Sequence, residues 1–110
     1  MTDLPRPGDL RERVRLEIPV DTPDGSGGVT RSYQEAWSAW AQILPQGAGA
    51  HTAAARAGEL RRFEVRLRRP PSPPARGMRL IWKSRRLAIE TVSPLDAGER
   101  FLRLDCLEET

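Results

Sequence analysis

The segment RRFEVRLRR at residues 61–69 alternates apolar and charged side chains without interruption. Only an extended strand gives such a sequence one apolar face, because successive side chains of a strand point to opposite sides while a helix would scatter them. Phe63, Val65 and Leu67 are therefore predicted to face a core, and Arg62, Glu64, Arg66 and Arg68 to face outward. The strand cannot continue, because Pro70, Pro71, Pro73 and Pro74 remove the backbone donors that a ladder needs.

The same period recurs along the chain. In 13–20 it places Val14, Leu16, Ile18 and Val20 on one face, with Pro19 at an edge or strand end. Residues 21–28 (DTPDGSGG) concentrate turn formers and read as a loop or hairpin tip. Two further extended segments are predicted at 29–33 and 37–44. In the second, Trp37, Ala39, Ala41 and Ile43 share a face, Trp40 points the other way, and Pro45 ends the run. Tryptophans on both faces of one strand imply that both are covered, one by the core and one by another element or another subunit. Residues 78–82 and 87–92 form a hairpin around 83–86, 94–99 form the last turn, and 101–107 close the set with Leu102, Leu104 and Cys106 aligned. The fold class is thus all-β: a small barrel of about five to seven antiparallel strands in a single domain spanning 1–110. Its expected core is Leu16, Ile18, Phe63, Val65, Leu67, Leu87, Ile89, Leu102 and Leu104.

One stretch has no such period. Residues 46–59 (QGAGAHTAAARAGE) are small and flexible, with at most a short helix near 52–57. An unpatterned connection of this length in a compact domain is more often functional than accidental. It is read as a long flexible central loop, with His51 and Arg56 as the side chains able to contact phosphate.

The residue inventory argues against catalysis and metal binding. His51 is the only histidine and Cys106 the only cysteine, so neither a Cys/His metal site nor an intrachain disulfide can be built. Cys106 lies on an apolar strand face and reads as a buried small hydrophobe. There is no phosphate-cradling Gly-x-x-x-x-Gly-Lys loop, and no cofactor is expected. The polar start of the chain has no apolar leader core, and no run approaches a membrane span, so a protein made in the cytoplasm and partnered with no membrane is expected. With 38% hydrophobic residues the isolated domain has a thin stability margin, to which partners can add.

Every basic residue except Lys83 is arginine, a residue suited to planar contacts with carboxylates, phosphates and protein interfaces. Two readings of the cluster Arg61, Arg62, Arg66 and Arg68 stand side by side. In one these residues pair with carboxylates on a neighbouring chain, as a subunit or adaptor interface shared with Trp40, or solvate the outer face of the barrel. In the other the chain is an OB-like nucleic-acid-binding module, although an aromatic content of 5% supplies few platforms for base stacking.

Several ordered anchors carry a further resemblance. Leu10-Arg11-x-Arg13-Val14 opens the first strand, and Asp24-Gly25-x-Gly27-Gly28-Val29-Thr30 is followed by Tyr33. Then come Trp40-Ala41-x-Ile43-x-Pro45, Val65-Arg66-Leu67-Arg68, Met78-Arg79-Leu80, Arg86-Leu87-x-Ile89-x-x-Val92 and Leu102-x-Leu104-x-Cys106-x-Glu108. In order and spacing, from Leu10 to Glu108, the chain resembles the head-tail joining, or head-closure (stopper), family of long-tailed phages. The alanine- and arginine-rich usage suits a gene transfer agent or prophage of a GC-rich bacterium. The resemblance implies a non-enzymatic structural virion protein, assembled in the bacterial cytoplasm and located in the particle neck. Its implied partners are further copies of itself in a ring (hexamer or dodecamer), a portal or adaptor protein above, a tail terminator or tail-tube protein below, and double-stranded DNA in the channel. The 46–59 loop would then close the lumen around that DNA.

Overall fold

The computed structural model describes residues 4–46 and 61–109. A 3-10 turn at Pro7–Asp9 precedes six strands: β1 (Glu12–Pro23), β2 (Val29–Pro45), β3 (Arg62–Arg68), β4 (Arg79–Trp82), β5 (Arg85–Pro94) and β6 (Phe101–Glu109). All neighbours pair antiparallel, and the order β1-β2-β3-β6-β5-β4 closes into a barrel, with β1 joined to β4 through Arg15↔Ile81, Leu16↔Leu80 and Glu17↔Arg79. Closure removes the free edges of the sheet, and the inward side chains fill the lumen of so small a barrel.

The alternating segments supply that filling. Val14, Leu16, Ala41, Val65, Leu67, Leu80, Leu87 and Leu104 are completely buried, with Trp37, Phe63, Ile89, Leu102 and Cys106 completing the cluster. Of the expected core only Ile18 falls short: it packs against the cluster but is partly exposed. The reason is the length of β1, whose pairing with β4 ends at Glu17 while its pairing with β2 runs on to Pro23. Beyond Glu17 the two strands leave the barrel as a ribbon, so the inward face of Ile18 and Val20 has progressively less to pack against.

Three boundaries differ from the sequence expectation. The segments predicted at 29–33 and 37–44 are one strand of 17 residues. Leu16 pairs with Trp37 and Glu17 with Glu35, so Ala36 is an inserted bulge residue, and this slip interrupts the apolar alternation without interrupting the ladder. The turn of the first hairpin is shorter than 21–28, because Asp21, Thr22 and Pro23 pair with Arg31, Thr30 and Val29. The β4–β5 connection is the two residues Lys83 and Ser84, both at positive φ (49° and 67°), as a tight type I′ hairpin requires. Pro19 does sit where a proline is tolerated, on a stretch of β1 with a ladder partner on only one side.

Candidate functional site

Chain direction sorts the surface into two ends. Strands β1, β3 and β5 begin, and β2, β4 and β6 finish, at the end from which the central connection departs. The two stems of that connection are tied together there by the Gln46 amide, which donates to the Arg62 carbonyl at 3.0 Å, and the second stem is tied to β6 by the Glu108 amide, which donates to the Arg61 carbonyl at 2.8 Å. His51 and Arg56, the predicted lumen and DNA contacts, lie outside the described residues, as does the predicted helix at 52–57.

Beside those stems the barrel end is plugged by aromatic and ionic contacts. Phe63 and Trp82 meet edge to face, their ring centroids 5.7 Å apart. The Arg85 guanidinium lies over both rings, 5.0 Å from Phe63 and 4.6 Å from Trp82, and forks onto Glu108 through Nε (2.9 Å) and Nη2 (2.8 Å). These bonds hold the Glu108 carboxyl below its ordinary range and raise Arg85, with partial burial opposing each. The Trp82 indole N–H donates to Glu12 Oε1 at 2.8 Å and, as the largest cause, lowers the Glu12 carboxyl. No sequence period marks this cluster, since its members come from β1, β3, β4, β5 and β6 and meet only when the barrel closes.

The arginines of β3 separate into different environments. Arg62 and Arg68 are exposed on the outer face and Arg61 is exposed at the strand's start, whereas the Arg66 side chain is only 18% exposed. Arg66 Nε is hydrogen-bonded to Glu64, whose side chain is only 4% exposed although alternation placed it on the outer face. Arg103 on β6 approaches the same carboxylate at 3.5 Å and also holds Asp105 at 3.1 Å. An outward position in a closed barrel is thus not always a wet one, because Arg66 on β3 and its cross-strand partner Arg103 on β6 converge on Glu64. Arg62 reaches Glu90 at 2.6 Å, the bulge residue of β5, and Arg68 stacks over Phe101 at 5.4 Å.

At the opposite end the β1–β2 ribbon projects as an arm. Its Asp24 Oδ1 accepts from the amides of Ser26 (2.8 Å) and Gly28 (3.1 Å), which shapes the tip. Along the arm Arg31 forks onto Asp21 (2.7 and 3.1 Å), and Arg79 joins Glu17 (2.8 Å) while lying 3.5 Å from the Tyr33 ring centroid. Trp37 and Trp40 take opposite fates. Trp37 is buried and donates its indole N–H to the Ser72 carbonyl at 3.0 Å in the proline-rich turn. Trp40 is 54% exposed, with Arg13 stacked 5.2 Å over it and Arg13 Nη2 held by Ser38 Oγ at 2.8 Å. Trp40 borders an apolar groove of about 270 Å³ with Pro7, Leu10, Ala39 and Arg68. Pro7, Leu10 and Arg13 were absent from the predicted site, because Arg13 is set opposite Trp40 only by the β1–β2 register, and Pro7 and Leu10 reach it only through the fold of the turn before β1.

A small closed barrel with a projecting arm and an arginine-bearing flank has the make-up of an assembly subunit. The sequence profile of the phage head completion proteins matches residues 5–109, and the chain belongs to that family. Its fold is similar to a chain in the virion of a native gene transfer agent particle, at 25% identity and a TM-score of 0.72, covering 96% of this chain and 97% of that one. It is also similar in fold to protein SF1141 from Shigella flexneri 2a, at 19% identity and a TM-score of 0.68, covering 94% and 96% of the two chains. No curated protein sequence matches the chain. The protein is accordingly a structural component of the head-tail region of a phage-type virion, as the ordered anchors in the sequence implied.

Proposed function

We propose that this chain is the head-closure subunit of the particle neck: copies form a ring beneath the portal and its adaptor, close the channel once DNA is packaged, and present a face for the tail. The observation that carries this reading is the end-to-end likeness to a chain of a gene transfer agent virion, which spans the barrel and its connections together. The layout supports it. The stems at Gln46 and Arg62 root the 46–59 connection at one barrel end, the arm projects from the other, and Arg61, Arg62 and Arg68 are exposed on the surface. A ring subunit needs distinct surfaces for its own copies, for the component above and for the component below, and in this reading the flank, the connection end and the arm serve as those three.

In this reading the 46–59 connection enters the lumen, where glycine and alanine let several copies crowd together and Arg56 and His51 meet phosphate. Replacing 47–58 with a short glycine-containing turn leaves every buried side chain of the described barrel in place. Particles carrying that variant should assemble and then lose packaged DNA, read by nuclease protection of filled heads. Full retention of DNA would overturn the closing role.

The alternative of an OB-like nucleic-acid module finds less support among the described residues. Phe63, Trp37 and Phe101 are buried, Trp82 is engaged by Arg85 and Glu12, and half-buried Tyr33 is stacked by Arg79, which leaves Trp40 as an exposed platform already covered by Arg13.

A further inference from the structure

The arm tip and the Trp40 groove share the outer face of one ribbon. Pairing runs Arg13↔Trp40, Arg15↔Ser38, then past the bulge Pro19↔Tyr33, Asp21↔Arg31 and Pro23↔Val29, and alternation keeps all of these on one side. Three large hydrophobic side chains are exposed among the described residues, namely Val20, Val29 and Trp40, at 37%, 65% and 54%. All belong to this ribbon: Val29 caps the tip beside Pro23, and Trp40 floors a groove walled by Pro7 and Leu10.

The two features are complementary in charge as well as in shape. Arg13 is bonded to a serine hydroxyl and stacked on Trp40, Arg68 is stacked on Phe101, and neither has a carboxylate partner among the described residues. At the tip, Asp24 spends Oδ1 on two backbone amides and has no ion-pair partner among the described residues. A carboxylate and two arginines left this way stand beside the apolar surfaces that would meet. They cannot meet within one subunit, because the tip and the groove lie about eleven strand residues apart at roughly 3.3 Å each, or ~35 Å. That span is about the width of a small domain.

We propose that the β1–β2 tip of one copy seats Val29 and Pro23 in the Trp40 groove of the next copy, with Asp24 facing Arg13 and Arg68. The contact joins two different patches, so it is heterologous, and repeated around an axis it closes a ring rather than a two-fold dimer. It rests on the ring reading above and specifies which surfaces make the ring.

The test uses particles assembled with a Val29→Cys, Leu10→Cys double variant in which Cys106→Ala removes the native thiol. Oxidation should yield a ladder of disulfide-linked multimers on a non-reducing gel, absent from either single-cysteine control. Particles that contain the double variant at the normal level but give only monomer would overturn the contact and leave the ring standing. Absence of the wild-type chain from purified particles would overturn the ring reading and the contact with it. A second variant guards against misfolding, because Val29→Asp touches no core side chain. It should keep the wild-type melting temperature and lose at least tenfold in incorporation, and normal incorporation would overturn the proposal.

Discussion

Arg85 forks onto Glu108 through two hydrogen bonds of 2.9 and 2.8 Å, joining the start of β5 to the end of β6 across the barrel end beside the central connection. The pair gives folding a definite pH dependence. The folded Glu108 carboxyl titrates below its ordinary value of 4.5, so the stabilisation is complete above that value and is lost as pH falls through the lower folded value. Glu12, lowered by the Trp82 indole, adds to the trend with the same sign. Melting temperature should fall on acidification below about pH 4.5, and Glu108→Gln should flatten that fall. An unchanged acid limb in the variant would remove Glu108 from the account.

Alternation places Arg66 on the outward, interface-bearing face of β3, yet its side chain is only 18% exposed. Arg66→Glu would set a second carboxylate against Glu64, which is only 4% exposed in its side chain. Losing one partner of a buried pair costs on the order of 3–5 kcal/mol, softened here by Arg103. Urea denaturation should show Arg66→Glu strongly destabilised. Arg68→Glu, at an exposed position, should fold normally and weaken particle assembly.

Leu67 is completely buried and lies between Ala41 on β2 and Leu102 on β6. Leu67→Ala should cost roughly 2–5 kcal/mol of folding free energy, enough to unfold a domain with a thin margin. A loss below ~1 kcal/mol in equilibrium unfolding would show that the barrel interior repacks freely around the site.

Cys106 is 1% exposed, and burial first, then the charges of Asp105 and Glu90, push its thiol up to about 12. The thiolate is therefore scarce at neutral pH. An Ellman-type reagent should label the native protein only at its rate of opening and label the denatured protein at once.

The Lys83-Ser84 turn holds two side-chain-bearing residues in the left-handed region, where Asn-Gly is the favoured pair. Replacing Lys83-Ser84 with Asn-Gly should raise stability by about 1 kcal/mol, less the weak Lys83–Glu12 contact at 3.5 Å. A lower melting temperature would give that exposed ion pair more weight than its solvation allows.

The residues by themselves determined the strands and their inward faces, because alternation at 13–20, 61–69 and 101–107 has one low-energy use and the prolines at 45 and 70–74 have few. The order of anchors from Leu10 to Glu108 also carried the family, since strand spacing is a local property of the chain. Closure and register were decided only in three dimensions. The bulge at Ala36 joins two segments that local period separates, because a bulge breaks alternation while preserving hydrogen bonds. The contact of Arg103 with buried Glu64 forms only through the β3–β6 pairing. The groove beside Trp40 needs Pro7, Leu10 and Arg68, which lie on either side of it in the chain and far from it in number. Period reports which face of a strand is apolar, but which charged side chains meet across neighbouring strands is set by the register of the closed barrel, and no segment encodes that alone.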